Sequence, residues 1–234
     1  MSVPQTVADS KRAFHAAFPH VIAPLYRRMV DELLVELHLL SHQQGFQADP
    51  LFAVGLIQVF DAFAKGYRPE QHRDQLLQAL CSSTGFQADA LRASSDGALA
   101  AMGSHEVAAV KGWIEAGGLD APEPLAAALN SIRRPDFHYS RLMAVGLLSL
   151  LERARGADGL DPQILREHAQ ELAASMGLLR DRVDKDLSLY AGNLEKMAQA
   201  VELMEETIAA ERRRRERQEQ DAISGSAEAA PSGG

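Results

Sequence analysis

Along nearly every long segment of this chain, apolar side chains recur at intervals of three and four residues, and strict alternation is hard to find. This period matches the 3.6 residues of an α-helical turn rather than the two-residue period of a strand. Two segments, 51–63 and 142–151, are apolar around almost their whole circumference. Because a helix that is apolar on all sides is buried, the pattern predicts an all-α fold, with a compact multi-helix body around these two helices.

The two apolar segments share the string Ala-Val-Gly-Leu, at 53–56 and 144–147. Glycine weakens the interior of a helix, so Gly55 and Gly146 are best explained by a neighbouring backbone that passes close to each of them. The first segment also has a clear start, since Asp49 before Pro50 is typical of a helix N-terminus. We therefore expect these two helices to form the core, with direct contact between them as one arrangement.

The most regular pattern of the chain lies near its C-terminal end. Eight apolar residues, called the seam below, follow spacings that alternate between four and three. They are Val183, Leu187, Tyr190, Leu194, Met197, Val201, Met204 and Ile208. Such heptad spacing is typical of a coiled coil, but the flanking positions hold few charges that would specify a dedicated dimer. The seam therefore leaves three alternatives: a homodimer, docking on the chain's own body, or docking on a partner.

An arginine run follows the seam and consists of Arg212, Arg213, Arg214 and Arg215. It can bind an anionic lipid or an acidic partner, or it can be a solvated helix end, because Glu211, Glu216 and Glu219 dilute its charge. The whole chain is thus predicted to comprise a helical domain at 1–177, a long amphipathic, coiled-coil-like helix at 178–219 and a disordered tail of small residues at 220–234.

Composition narrows the classes of protein. The chain has 24 lysine and arginine residues against 32 acidic ones, a formal net charge of -8, so we expect no nucleic-acid partner. The first residues lack the apolar stretch of a signal peptide, and no apolar run approaches the roughly 20 residues of a membrane-spanning helix. We expect a chain without signal peptide, transit peptide or transmembrane segment.

Few residues of the chain suggest a catalytic or metal-binding role. His38 and His42 are spaced to face one metal ion from a helix, but no further ligands accompany them. Cys81 lies within an apolar stripe, where a lone cysteine is usually a packing residue. The sequence contains neither a phosphate-binding loop nor a nucleophile elbow. We expect no catalytic residues, no metal and no cofactor.

Several long strings of the chain form a specific set. In the N-terminal half they are TVADSKRAFHAAFP (6–19), PLYRRMVDELLVELHLLS (24–41), DPLFAVGLIQVFDAFAKGYRPE (49–70) and QALC (78–81). Further along, FHYSRLMAVGLLSLLE (137–152) and NLEKM (193–197) precede the basic helix end. In this order the strings resemble the thylakoid formation protein family of cyanobacteria and chloroplasts. Residues 94–124 and the tail resemble nothing in the family pattern.

The resemblance implies a non-enzymatic helical protein with a C-terminal coiled coil, required for photosystem II biogenesis and repair. It implies the membrane-embedded FtsH protease as a partner. Contact with photosystem II components and self-association are further alternatives. It also implies a peripheral or soluble protein on the cytoplasmic side of a cyanobacterial thylakoid membrane.

The pattern and the resemblance lead to one hypothesis, in which the seam docks in a groove of the protease and the arginine run adds attraction to an acidic surface or to anionic lipid. Tyr190 is the best single anchor, because a tyrosine offers both apolar area and a polar tip. The alternative is a homodimeric coiled-coil scaffold that contacts the membrane through its basic helix end, without a protease partner.

Overall fold

The structure is a computed structural model that describes residues 5–157, 161–175 and 177–228, with side chains as far as residue 218 except Ser175. These residues form ten α-helices and no strand. The helices are α1 (Val7–Ala17), α2 (Pro24–His42), α3 (Pro50–Phe63), α4 (Gln71–Ser82), α5 (Ala88–Met102), α6 (Val107–Glu115), α7 (Glu123–Ser131), α8 (Arg141–Arg153), α9 (Pro162–Ser175) and α10 (Arg180–Glu228). The all-α prediction is confirmed.

The N-termini of three helices show why the chain folds locally as it does. Thr6 and Asp9 form a reciprocal capping box at the start of α1. The Asp49 carboxylate accepts a hydrogen bond from the Phe52 backbone N–H at 2.9 Å, which caps α3 as the sequence predicted. Ser140 caps α8 in the same way.

The helices α3 and α8 form the centre of the fold and pack directly against each other. Every residue of α8 from Leu142 to Leu151 is buried, as are residues 51–57 of α3. Gly55 and Gly146 lie at the contact: a β-carbon added to Gly55 would overlap the carbonyl group of Leu142, and one added to Gly146 would overlap the carbonyl oxygen of Leu51. The predicted core and the predicted close backbone approach are both confirmed.

Other helices pack against this pair or against one another. Helices α5 and α7 pack against α3, α9 packs against α8, and α1, α2 and α4 contact one another. Residues 94–124, where the periodicity is weak, form the end of α5, α6 and the start of α7. Gly117 and Gly118 turn the chain between the last two with positive φ angles of 68° and 88°, a conformation that glycine adopts without strain.

The chain divides into two compact units, 1–192 and 193–234, and α10 passes through the boundary. The first unit therefore extends beyond the predicted domain end at 177 and includes the beginning of α10. The helix also continues to Glu228, into the segment predicted as a disordered tail. The rest of that segment, 229–234, lies outside the described residues.

Candidate partner-binding helix

The seam begins inside the first unit. Val183 and Leu187 are 1% and 0% exposed and belong to the hydrophobic core. These two residues dock on the chain's own body, which is one of the three alternatives for the seam. Their apolar side chains are removed from water there. This placement corrects their prediction as partner-binding residues, since a partner cannot reach them while the body is folded.

Polar contacts hold the same part of α10. The Tyr139 hydroxyl donates a hydrogen bond to Asp186 Oδ2 at 2.8 Å, and the Arg182 guanidinium lies 4.8 Å from the centre of the Tyr139 ring. Burial raises the pKa of Tyr139, and the bond to Asp186 raises it further, so the hydroxyl stays protonated and remains a donor. Sequence reasoning missed Tyr139, because nothing in the spacing links it to a segment more than 40 residues away.

Beside this contact lies an open groove of about 610 Å³ between α2, residues 138–141 and the start of α10. Arg141 donates to Glu36 Oε2 at 2.6 Å and lies 3.7 Å from Glu32 Oε2. Burial raises the pKa of Glu36, against the opposing effect of Arg141. The two arginines that line the groove, Arg141 and Arg182, thus both make contacts within the fold. These contacts indicate a structural role for this cluster.

Tyr190 is the last seam residue of the first unit and is half-buried. Its ring meets the ring of Phe63 edge-on, with 6.0 Å between the ring centroids. Burial, followed by the negative charge of Glu152, raises the pKa of Tyr190 to about 12. Much of the tyrosine surface predicted to anchor a partner is therefore already used within the body.

The remaining seam residues belong to the second unit and keep solvent-accessible surface. Leu194, Met197, Val201 and Met204 are partly exposed, and Ile208 is 55% exposed. The side chains from 205 to 218 are all exposed. Arg212 donates from Nε to Glu216 Oε1 at 2.8 Å, whereas the other arginines of the run form no ion pair among the described side chains.

The residues considered for chemistry have ordinary structural roles. His38 Nδ1 lies 2.9 Å from Ser10 Oγ, and His42 Nδ1 lies 2.9 Å from the His38 carbonyl oxygen, so the Nδ1 atom of each ring is engaged within the fold. Cys81 is buried, and that burial raises its pKa to about 12, which confirms its prediction as a packing residue. In the part of the chain that the structure describes, no three ligand-type residues are grouped to hold a metal ion.

None of the described helices combines the length and the apolar composition needed to cross a membrane. The fold is instead that of an all-α protein with a paired-helix core and a final helix far longer than the others. The chain belongs to the family described as Thylakoid formation protein, whose model matches residues 6–219. The resemblance drawn from the sequence strings is thereby confirmed.

Individual relatives match over almost their whole length. Protein Thf1 of Prochlorococcus marinus (strain MIT 9313) is 57% identical over 94% of this chain and 90% of its own length. Protein Thf1 of Trichormus variabilis is 36% identical over 95% of this chain and 96% of its own. A solved structure of Psb29 at 1.55 Å superposes with a TM-score of 0.78 and 38% identity, covering 91% of this chain and 99% of that protein.

Proposed function

We propose that this protein is a non-enzymatic factor for photosystem II biogenesis and repair, which binds the FtsH protease at the cytoplasmic surface of the thylakoid membrane and stabilises or assembles it. Membership in the thylakoid formation protein family supports the proposed role in photosystem II biogenesis and repair. The protease, and photosystem II components as further partners, come from the family resemblance of the sequence strings.

The observation that carries the proposal is the division of the seam. Val183 and Leu187 fix the beginning of α10 in the core, whereas the residues from Leu194 to Ile208 retain accessible apolar surface on the same heptad register. A helix that is ordered before binding loses less conformational entropy when a partner covers it. An amphipathic helix laid into an apolar groove is a common mode of recognition.

The proposal is tested by co-purification of the tagged protein with FtsH from mildly solubilised thylakoid membranes. The variant Leu194→Asp/Val201→Asp places two carboxylates on the seam. A matched control, Leu189→Asp/Leu203→Asp, makes the same chemical change at exposed leucines of α10 that lie outside the seam. Both doubles are expected to remain folded, because all four substitutions lie outside the fully buried core.

We expect the protease to be lost from the seam variant and retained by the control. Retention by both variants would exclude the seam as the binding surface. Absence of the protease from the wild-type sample would contradict the proposed partner itself. Sedimentation of the purified wild-type chain addresses the alternative scaffold, which requires a concentration-dependent dimer that the seam variant abolishes.

A further inference from the structure

The arginine run continues the heptad register of the seam. With Leu194, Val201 and Ile208 at a positions, the next heptad places Glu211 at d, Arg212 at e, Arg214 at g and Arg215 at a. Arg213 falls at f, the position directed away from a partner helix. All of these side chains are exposed. A partner that covers the seam therefore meets one anion, Glu211, and then three cations, Arg212, Arg214 and Arg215, where the apolar surface ends.

This arrangement disfavours a parallel, in-register second copy of the chain as the occupant. In a parallel, in-register pair, Arg215 would face the Arg215 of the other copy, and Glu211 would face its Glu211, because a pairs with a and d with d. Opposed like charges at an interface cost several kcal/mol in typical complexes. The e and g positions before Arg212 add little charge of their own, since they hold mainly alanine and uncharged residues.

We propose that the partner surface which covers the seam is a helix or groove that is apolar opposite Leu194–Ile208 and acidic opposite Arg212, Arg214 and Arg215. The inference rests on the proposed function only in taking the seam as the partner-binding surface. The acidic part supplies charge complementarity and fixes both the direction and the register in which the partner lies.

Anionic lipid is the other candidate for the negatively charged surface that binds the arginine run. The heptad positions of the arginines distinguish a lipid surface from a protein partner. Attraction to a lipid surface depends on the number of basic residues near it, so Arg213 and Arg215 would contribute alike. A partner that packs on the seam distinguishes them, because Arg215 lies in the contact and Arg213 faces away. Both are exposed arginines of the same run, and neither forms an ion pair among the described side chains, which makes them a matched pair.

The test uses the full chain and synthetic helical peptides, and it needs no protease. One peptide has leucine at its central a and d positions and glutamate at the a, e and g positions of both ends, so that either direction of docking is sampled. The other peptide carries lysine in place of each glutamate. Affinities are measured by fluorescence anisotropy for the wild-type chain, Arg215→Glu and Arg213→Glu.

We expect the wild-type chain to bind the glutamate peptide at least about tenfold more tightly than the lysine peptide. Arg215→Glu should weaken binding of the glutamate peptide about tenfold, while Arg213→Glu changes it by less than about threefold. Failure to bind either peptide, or equal losses in the two variants, would overturn the proposal. The proposal would also be overturned if both variants lost binding to phosphatidylglycerol vesicles equally and the wild-type chain bound the two peptides equally. That outcome would assign the arginine run to lipid binding. A positive peptide result without recovery of FtsH would reject only the proposed protease partner.

Discussion

Gly55 of α3 and Gly146 of α8 face each other across the central helix contact, and each lies where a β-carbon would run into the backbone of the opposite helix. A β-carbon on Gly55 would also lie 3.1 Å from the Gly146 nitrogen. The two helices can approach this closely only because both residues lack a side chain. The glycine of the shared Ala-Val-Gly-Leu string thus permits the close backbone contact at the centre of the core.

Either glycine should therefore resist substitution. Gly55→Ala or Gly146→Ala is expected to lower the free energy of unfolding by at least about 2 kcal/mol, because rigid backbone must move to admit the methyl group. Urea denaturation followed by circular dichroism measures the change.

Gly97 of α5 provides the control, since a β-carbon added there meets no atom within 4 Å. Gly97→Ala should stabilise the protein by about 0.5–1 kcal/mol, because alanine is the better helix former. Equal effects at Gly55 and Gly97 would show that helix propensity, rather than close packing, determines the response.

The divided seam makes a second prediction about stability. Leu187→Ala should cost about 2–5 kcal/mol, as expected for truncation of a fully buried leucine. Ile208→Ala should change the free energy of unfolding by less than about 0.5 kcal/mol, because that side chain is exposed. Thermal unfolding of both variants checks this contrast, and a large loss from Ile208→Ala would mean that the end of the seam contributes to the folded core.

The sequence predicted the central helices well because their signals are local. A segment such as 142–151 is apolar on every side, which leaves burial as its only stable environment. The cap at Asp49 is equally local, since a polar side chain satisfies backbone groups of its own helix.

The extent to which the seam is buried was not predictable in the same way. Heptad spacing identifies an apolar face but not the surface that covers it. Leu187 and Ile208 therefore share the same spacing, although Leu187 is buried and Ile208 is exposed. The Tyr139–Asp186 hydrogen bond connects positions that are distant in sequence, and it depends on tertiary packing that periodicity does not encode.

The buried thiol gives a third prediction. Because burial raises the pKa of Cys81 to about 12 and leaves no exposed surface, the native protein should not react with a thiol reagent such as Ellman's reagent at neutral pH. In urea the same reagent should label one cysteine per chain. Rapid labelling of the native protein would show that the end of α4 opens far more readily than the rest of the core.

Glu36 gives the last prediction, which concerns the pH dependence of stability. Its pKa is raised above the ordinary value of 4.5 because burial disfavours the carboxylate, although Arg141 acts in the opposite direction. As pH rises above 4.5, the unfolded chain releases this proton first, so the native state binds more protons and the contribution of Glu36 to stability declines. That contribution is complete below 4.5 and is lost as pH passes through the raised pKa.

The variant Glu36→Gln removes this titration. The difference in free energy of unfolding, wild type minus Glu36→Gln, is therefore expected to fall with increasing pH above 4.5 and then to level off, as measured by urea denaturation across a pH series. Arg141→Met should extend the decline to higher pH, because it removes the nearest favourable charge. A difference that instead grows with pH would mean that attraction to Arg141 outweighs burial, and that the pair is a net stabilising salt bridge in this groove.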